Sequence, residues 1–132
     1  MKLVFVYLAG LVIFLALDMV WLRLIAKDIY TTEMGSLIRS DVNLQAALAF
    51  YLLYAAGLTY FAVWPALEGR AVLHALFLGA GLGLIAYGTY DLTNLAVVKG
   101  FSTKIALIDL AWGTVLSGIS AASVVALLGR AA

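Results

Sequence analysis

Four long apolar stretches, separated by short polar segments, dominate the chain. They cover about residues 3–25, 44–64, 71–98 and 105–128. About 20 residues of helix cross the roughly 30 Å hydrocarbon core of a bilayer, so each stretch is long enough to span it. Lipid offers the backbone no hydrogen-bond partners, and each span must therefore be helical. The pattern predicts an all-α fold, a polytopic integral membrane protein built as a bundle of four transmembrane helices.

The three connections between the apolar stretches differ in length. The longest, residues 26–43, is charged and is expected to contain a short helix lying at the membrane interface. The residues of that helix expected to face the membrane are Ile29, Met34, Leu37 and Ile38. The second connection is a turn in which Pro65 is expected to end the second span. The third covers residues 99–104, and since no linker is visible, residues 1–132 are predicted to form a single domain.

The composition supports lipid as the surrounding solvent and excludes several functional classes. Of the 132 residues, 66% are hydrophobic and 11% are charged, whereas a soluble domain has about 25% charged residues. The net charge is +1 and no basic run exists, so no nucleic-acid partner is expected. Since the chain has no Cys and a single His, His74, we expect neither a metal site nor a cofactor.

The N-terminus has some features of a secretory signal peptide. Met1 and Lys2 precede an apolar run, but no small-x-small cleavage site follows it. The apolar character continues to Ile25, beyond the roughly 7–15 residues of a signal-peptide core. We therefore predict an uncleaved transmembrane span.

The distribution of cations predicts the orientation. Four spans place both ends of the chain on one side of the membrane. That side carries three cationic residues, Lys2, Arg70 and Arg130. The other side carries five, Arg23, Lys27, Arg39, Lys99 and Lys104. The positive-inside rule then places residues 26–43 and 99–104 in the cytoplasm.

Three aspartates, Asp18, Asp91 and Asp109, lie within apolar stretches. A carboxylate in hydrocarbon is costly, so it usually faces the bundle interior and marks a functional path or pocket. The three acids are five, eight and five residues from a flanking cation. At 1.5 Å per residue, each lies about 8–12 Å inward from that cation. Chain direction places all three in one leaflet, where they are predicted to converge.

The neighbours of the acids at helical spacing extend the predicted site. Trp21 lies three residues after Asp18, and Trp112 three residues after Asp109, so each pair shares a helix face. In the third span, one face carries Tyr87, Asp91 and Asn94. The candidate ligand- or proton-binding residues are Asp18, Trp21, Tyr87, Tyr90, Asp91, Asn94, Asp109 and Trp112.

Small residues predict close helix contacts. Gly79 and Gly83 in the third span are four residues apart, a spacing that lets another backbone approach closely. Gly113, Ser117 and Ala121 repeat that spacing in the fourth span. The partner helix belongs either to this chain or to a second copy.

Several phrases resemble one known family. They are Asp18-x-x-Trp21, Ala26-Lys-Asp-Ile-Tyr30, Phe50-Tyr-Leu-Leu-Tyr54, Tyr90-Asp-Leu-Thr-Asn94 and Asp109-x-x-Trp112-Gly-Thr. Together they are similar to the bacterial predicted-membrane-protein family known as domain of unknown function 2177, over nearly the whole chain. The resemblance implies four spans and a bacterial inner membrane. It implies no activity.

Three functions fit this pattern. The leading hypothesis is a site that binds or transports a small cationic or amphiphilic molecule, with or without coupling to protons, in a chain that self-associates. The acids would bind the cation or proton, and the tryptophan rings would face the cation. The alternative is a membrane-embedded isomerase or cyclase that uses aspartate acid–base chemistry on an isoprenoid- or sterol-like lipid. A third reading is a non-catalytic subunit of a larger membrane complex.

The surroundings of the acids discriminate between these readings. A pocket within one bundle, open sideways to lipid, favours the enzyme. A water-lined cavity at a two-fold interface favours transport. Acids paired with Arg23, Lys99 or Lys104, with no cavity, leave only the structural subunit, because such pairs would simply close the end of the bundle.

Overall fold

Four long apolar helices form the molecule, which confirms the predicted all-α bundle. A computed structural model describes residues 2–35 and 43–129. The candidate membrane spans are Lys2–Leu24, Leu44–Leu67, Val72–Val97 and Thr103–Leu128. The predicted membrane-facing residues Leu37 and Ile38 lie outside the described residues, and so does the side chain of Met34.

The described residues form six α-helices and two π-helical turns, and all of these except α2 build the spans. The α-helices are α1 (Lys2–Val20), α2 (Lys27–Met34), α3 (Leu44–Leu58), α4 (Trp64–Leu67), α5 (Val72–Val97) and α6 (Thr103–Leu128). The π turns are Trp21–Ile25, which follows α1, and Thr59–Val63, which joins α3 to α4. The short helix α2 begins within the predicted interfacial segment.

Pro65 does not end the second span, contrary to the prediction. The backbone N–H of Trp64 donates to the Thr59 carbonyl, which closes the π turn. Pro65 then lies in the first turn of α4, where its missing N–H costs no intrahelical bond. The helix therefore continues to Leu67.

Glycines bring α5 and α6 into direct backbone contact. A Cβ atom at Gly79 would lie 2.9 Å from the Cβ of Ala121, and one at Gly83 would lie 2.8 Å from the Cβ of Ser117. A Cβ at Gly83 would also collide with the carbonyl oxygen of Gly113. The predicted small-residue contact is confirmed, and both of its helices belong to this chain.

The centre of the bundle is apolar and closed. Phe14, Leu58 and Leu116 are fully buried where α1, α3 and α6 meet. The Phe14 ring packs against Tyr54, with ring centroids 5.1 Å apart. Large apolar side chains such as Leu53 and Phe77 are exposed on the outer faces. That arrangement suits helices whose outer surface contacts lipid tails.

Candidate functional site

Asp18 joins three helices near the end of α1. Its side chain is 7% exposed. Its Oδ1 accepts a hydrogen bond of 3.0 Å from Nε1 of Trp112 on α6, and its Oδ2 accepts one of 2.5 Å from the hydroxyl of Tyr51 on α3. Hydrogen bonds to a carboxylate are stronger than those between neutral groups, so these donors offset part of the cost of burial. They add no positive charge.

The two tryptophans of the repeated Asp-x-x-Trp phrase stack on each other. Their ring centroids are 4.5 Å apart and their planes are inclined by 8°. Trp112 bonds to Asp18 of the other phrase rather than to Asp109 of its own. The repeat therefore has a geometric reason. The two Asp-x-x-Trp phrases lie side by side on neighbouring helices, and their tryptophans pair with each other.

Tyr30 on α2 links the stack to Asp109. Its hydroxyl donates to Oδ1 of Asp109 at 3.0 Å and accepts from Nε1 of Trp21 at 3.5 Å. Burial raises the pKa of the Tyr30 hydroxyl well above its usual value, and the Asp109 charge raises it further, against the opposing effect of the Trp21 bond. The phenol therefore stays protonated and acts as a donor.

A second bond fixes α2 over the site. Ser102 donates from its hydroxyl to Oε1 of Glu33 at 2.7 Å. The same hydroxyl accepts from the backbone N–H of Ile105 at 3.1 Å, which caps the start of α6. Ser102 thus connects the beginning of α6 to α2.

A cavity of about 380 Å³ lies between these helices. Its lining residues are Asp18, Trp21, Leu22, Tyr30, Phe50, Ala86, Tyr87, Tyr90 and Asp109. The two carboxyl groups are its charged groups, and five aromatic rings form most of its wall. Leu22, Phe50 and Tyr90 are also exposed on the outer surface, so the cavity opens between helices.

Asp91 lies behind this wall, beside Asp109. Its side chain is fully buried, and neither carboxyl oxygen has a hydrogen-bond donor. The ionisable group within hydrogen-bonding reach is the carboxyl of Asp109. Asn94, one turn further along α5, is half-buried and does not line the cavity.

The predicted residues therefore divide into two groups. Five line the cavity: Asp18, Trp21, Tyr87, Tyr90 and Asp109. Trp112 and Asp91 lie behind it, each in contact with one of its acids. Asn94 is the one candidate for which the structure shows no link to the acids.

Sequence reasoning missed Tyr51, Tyr30 and Phe50. Tyr51 and Phe50 lie in the second apolar stretch and Tyr30 lies in the connection expected at the membrane interface, so no helical spacing linked them to the acids. Asp28 is exposed, but Tyr30 on the same helix turns inward. The Tyr30 side chain, an aromatic residue among the charged and polar residues of α2, was the available signal.

The flanking cations do not neutralise the acids. Among the described side chains, no ion pair joins Asp18, Asp91 or Asp109 to Arg23, Lys99 or Lys104. The side chains of these three cations are exposed instead. The arrangement in which they pair with the acids and close the end of the bundle is therefore not observed.

Comparison with known proteins assigns the chain to a family. No curated protein and no solved structure matches it. The family described as predicted membrane protein (DUF2177) matches residues 3–126, nearly the whole chain. This match agrees with the phrases around Asp18, Tyr90 and Asp109 and with the four apolar helices. The chain therefore belongs to the DUF2177 family of predicted membrane proteins.

Proposed function

We propose that the protein binds one small cationic amphiphile from the bilayer, with the positive head in the cavity between Asp18 and Asp109. The observation that supports this most is a pair of carboxyl groups on one aromatic-walled cavity, neither of which is paired with the described side chains of Arg23, Lys99 or Lys104. A carboxylate in hydrocarbon is costly. A ligand cation would supply the missing counter-charge.

The cavity walls suit such a head group. Indole and phenol rings attract a cation over their faces, worth about 2 kcal/mol or more where water is excluded. Trp21, with Trp112 stacked behind it, and Tyr87 line the cavity and would provide these faces. The hydroxyl of Tyr30 already donates to Asp109, which would keep that carboxylate pointed toward the cavity.

The opening suits an amphiphile. Leu22, Phe50 and Tyr90 are exposed at the rim and would lie at the lipid-facing surface. A ligand would enter sideways and leave its apolar tail among lipid chains. Because the cavity lies within one chain, binding requires no second copy. Transport, self-association and residence in an inner membrane stay predictions.

An isomerase or cyclase is the second candidate. The observation that favours it is the contact between Asp91 and Asp109, two carboxyls of unequal burial beside a cavity contained in one bundle. One acid of such a pair would protonate a double bond and the other would accept a proton. This function predicts turnover of a neutral isoprenoid-like lipid, whereas the leading proposal predicts tight binding of a saturated cation.

An isosteric pair of probes tests the leading proposal. Benzyltrimethylammonium and neopentylbenzene have the same shape and differ in the positive charge. The Trp64→Phe background leaves Trp21 and Trp112 as the fluorescent reporters, because the chain has three tryptophans. We expect a saturable fluorescence change with the cation and none with the hydrocarbon.

Substitutions locate the binding. Asp18→Asn and Asp109→Asn should each weaken binding of benzyltrimethylammonium at least about tenfold, equivalent to about 1.4 kcal/mol. Asp28→Asn is the matched control, because Asp28 is exposed on α2, and it should bind as the parent does. Equal binding of the two probes, or unchanged binding by both site variants, would contradict the proposal.

A further inference from the structure

Asp91 is the least compensated group of the described chain. Its side chain is fully buried. Both carboxyl oxygens lack a hydrogen-bond donor, whereas the two oxygens of Asp18 each have one. An isolated carboxylate in a low-dielectric interior costs far more free energy than a neutral carboxylic acid. Binding a proton is therefore the change that lowers the free-energy cost of burying Asp91 most directly.

Asp109 provides the acceptor for that proton. Asp109 lies on α6, which packs along α5; a Cβ atom at Gly88, one turn before Asp91, would lie 3.5 Å from Leu110, the neighbour of Asp109. The Asp109 carboxyl is the ionisable group that interacts with Asp91. Two carboxylates repel, whereas a carboxylic acid donates to a carboxylate in a short, strong hydrogen bond. The Tyr30 hydroxyl bonds to Oδ1 of Asp109, which leaves Oδ2 to accept from Asp91.

We propose that Asp91 and Asp109 form a two-carboxyl site that holds one proton, and that a cation entering the cavity displaces this proton. The second half rests on the proposed function, whereas the first does not. Asp91 starts as the acid and Asp109 as the carboxylate. A ligand cation at Asp109 neutralises that charge, the Asp91 O–H bond breaks, and the proton leaves to solvent as Asp91 becomes a carboxylate.

The surroundings favour a proton over a metal ion. Within the described ranges, no third His, Cys, Asp or Glu joins the pair to form a metal cluster. Two carboxyl groups offer four oxygens, whereas calcium and magnesium need about six or more ligands. Among the described side chains, the other titratable groups near the pair are Tyr87 and Tyr90 on α5 and Tyr30 on α2. All three are neutral phenols, and Tyr30 donates to Asp109.

Infrared spectroscopy tests the proton without any ligand. Near neutral pH, the wild-type protein should show the carbonyl stretch of a protonated, buried carboxyl group. Heavy-isotope labelling of the aspartate carboxyl carbons should shift this band, which requires no substitution. Asp91→Asn should abolish the band, and Asp28→Asn, the exposed control, should retain it. A wild-type spectrum without the band would overturn the proposal.

Proton release tests the exchange. In weakly buffered solution, binding of benzyltrimethylammonium to the wild type should release about one proton per ligand. Asp91→Asn should bind the probe without releasing a proton, because its amide donates to Asp109 as the protonated acid does. Probe binding without proton release by the wild type would refute the exchange alone. Absence of probe binding with the infrared band intact would refute the proposed function and leave the proton site standing.

Discussion

At the scale of single residues, Asp18 is stabilised by neutral donors from two other helices. The tyrosine hydroxyl and the indole N–H approach opposite oxygens of one carboxyl group. Neither donor carries a charge, so the two bonds offset part of the cost of burial without supplying a counter-charge. That combination is what a cation-binding site requires.

Removing one donor should destabilise the bundle measurably. Tyr51→Phe is expected to lower the free energy of unfolding by about 1–2 kcal/mol, toward the upper end for membrane helices because the acceptor is a carboxylate. Reversible unfolding in mixed micelles measures it. Tyr60→Phe is the control, since Tyr60 is 71% exposed. If Tyr60→Phe lowered the free energy of unfolding as much as Tyr51→Phe does, the bond to Asp18 would contribute little.

At the scale of elements, the closest contact is the one between α5 and α6. Gly79 and Gly83 face Ser117 and Ala121, and Gly113 leaves room for the ring of Tyr87. This contact sets the position of Tyr87 on the cavity wall. It also holds Asp91 of α5 against Asp109 of α6.

Two neighbouring glycines provide a matched test of that contact. Gly83→Ala should destabilise the protein by about 1–3 kcal/mol, because the added methyl group collides with α6. A Cβ atom at Gly81 would have nothing within 4 Å. Gly81→Ala should therefore be neutral or stabilising by up to about 1 kcal/mol, since alanine favours helix. Thermal unfolding of the two variants is compared in one detergent, and equal stabilities would contradict this packing.

Helix α2 is held to the bundle by side-chain hydrogen bonds that include those of Tyr30 and Glu33, and it should loosen when the bonds of Tyr30 are lost. Tyr30→Phe removes the hydroxyl that bonds to Asp109 and accepts from Trp21. Amide hydrogen exchange within Lys27–Met34 is expected to rise about fivefold, as for the loss of about 1 kcal/mol of local stability. Thr32→Ala, at an exposed position of α2, serves as the control. An unchanged exchange rate in Tyr30→Phe would show that α2 is held by other contacts.

Periodicity predicted the straight parts of the helices and failed at the π turns. The four spans could be predicted from the length of the apolar stretches, because a helix must cross the hydrocarbon core. The α5–α6 contact could be predicted from the spacing of small residues, because helices in lipid associate by close packing. Each π turn inserts one extra residue and rotates the downstream part of the helix. The turn at Trp21–Ile25 precedes Tyr30, so no helical spacing counted from Asp18 could place Tyr30 against Asp109. The bond between Tyr51 and Asp18 could not be predicted either, because it depends on how two separate helices pack.

At the scale of the whole molecule, four spans place the site near one face of the membrane. The described segments that flank it are α2 and residues 99–102, and the turn around Glu68 lies at the opposite end. The positive-inside rule predicts that the site end faces the cytoplasm. Ligand would then reach the cavity from the cytoplasmic leaflet.

The absence of cysteine makes this orientation testable. Single cysteines at exposed positions, Asp28→Cys and Glu68→Cys, mark the two ends. In right-side-out vesicles, a membrane-impermeant maleimide should label Glu68→Cys and spare Asp28→Cys, with the reverse in inverted vesicles. Labelling of both variants in one vesicle type would indicate that the chain inserts in both orientations.

The location of a bound cation tests the central claim most directly. A crystal structure with para-bromobenzyltrimethylammonium would locate the bromine by its anomalous scattering. We expect one bromine peak at the cavity mouth near Leu22 and Phe50, with the ammonium group between Asp18 and Asp109. A peak confined to the apolar groove at the other end of the bundle, around Tyr7 and Trp64, or no peak at saturating probe, would contradict it.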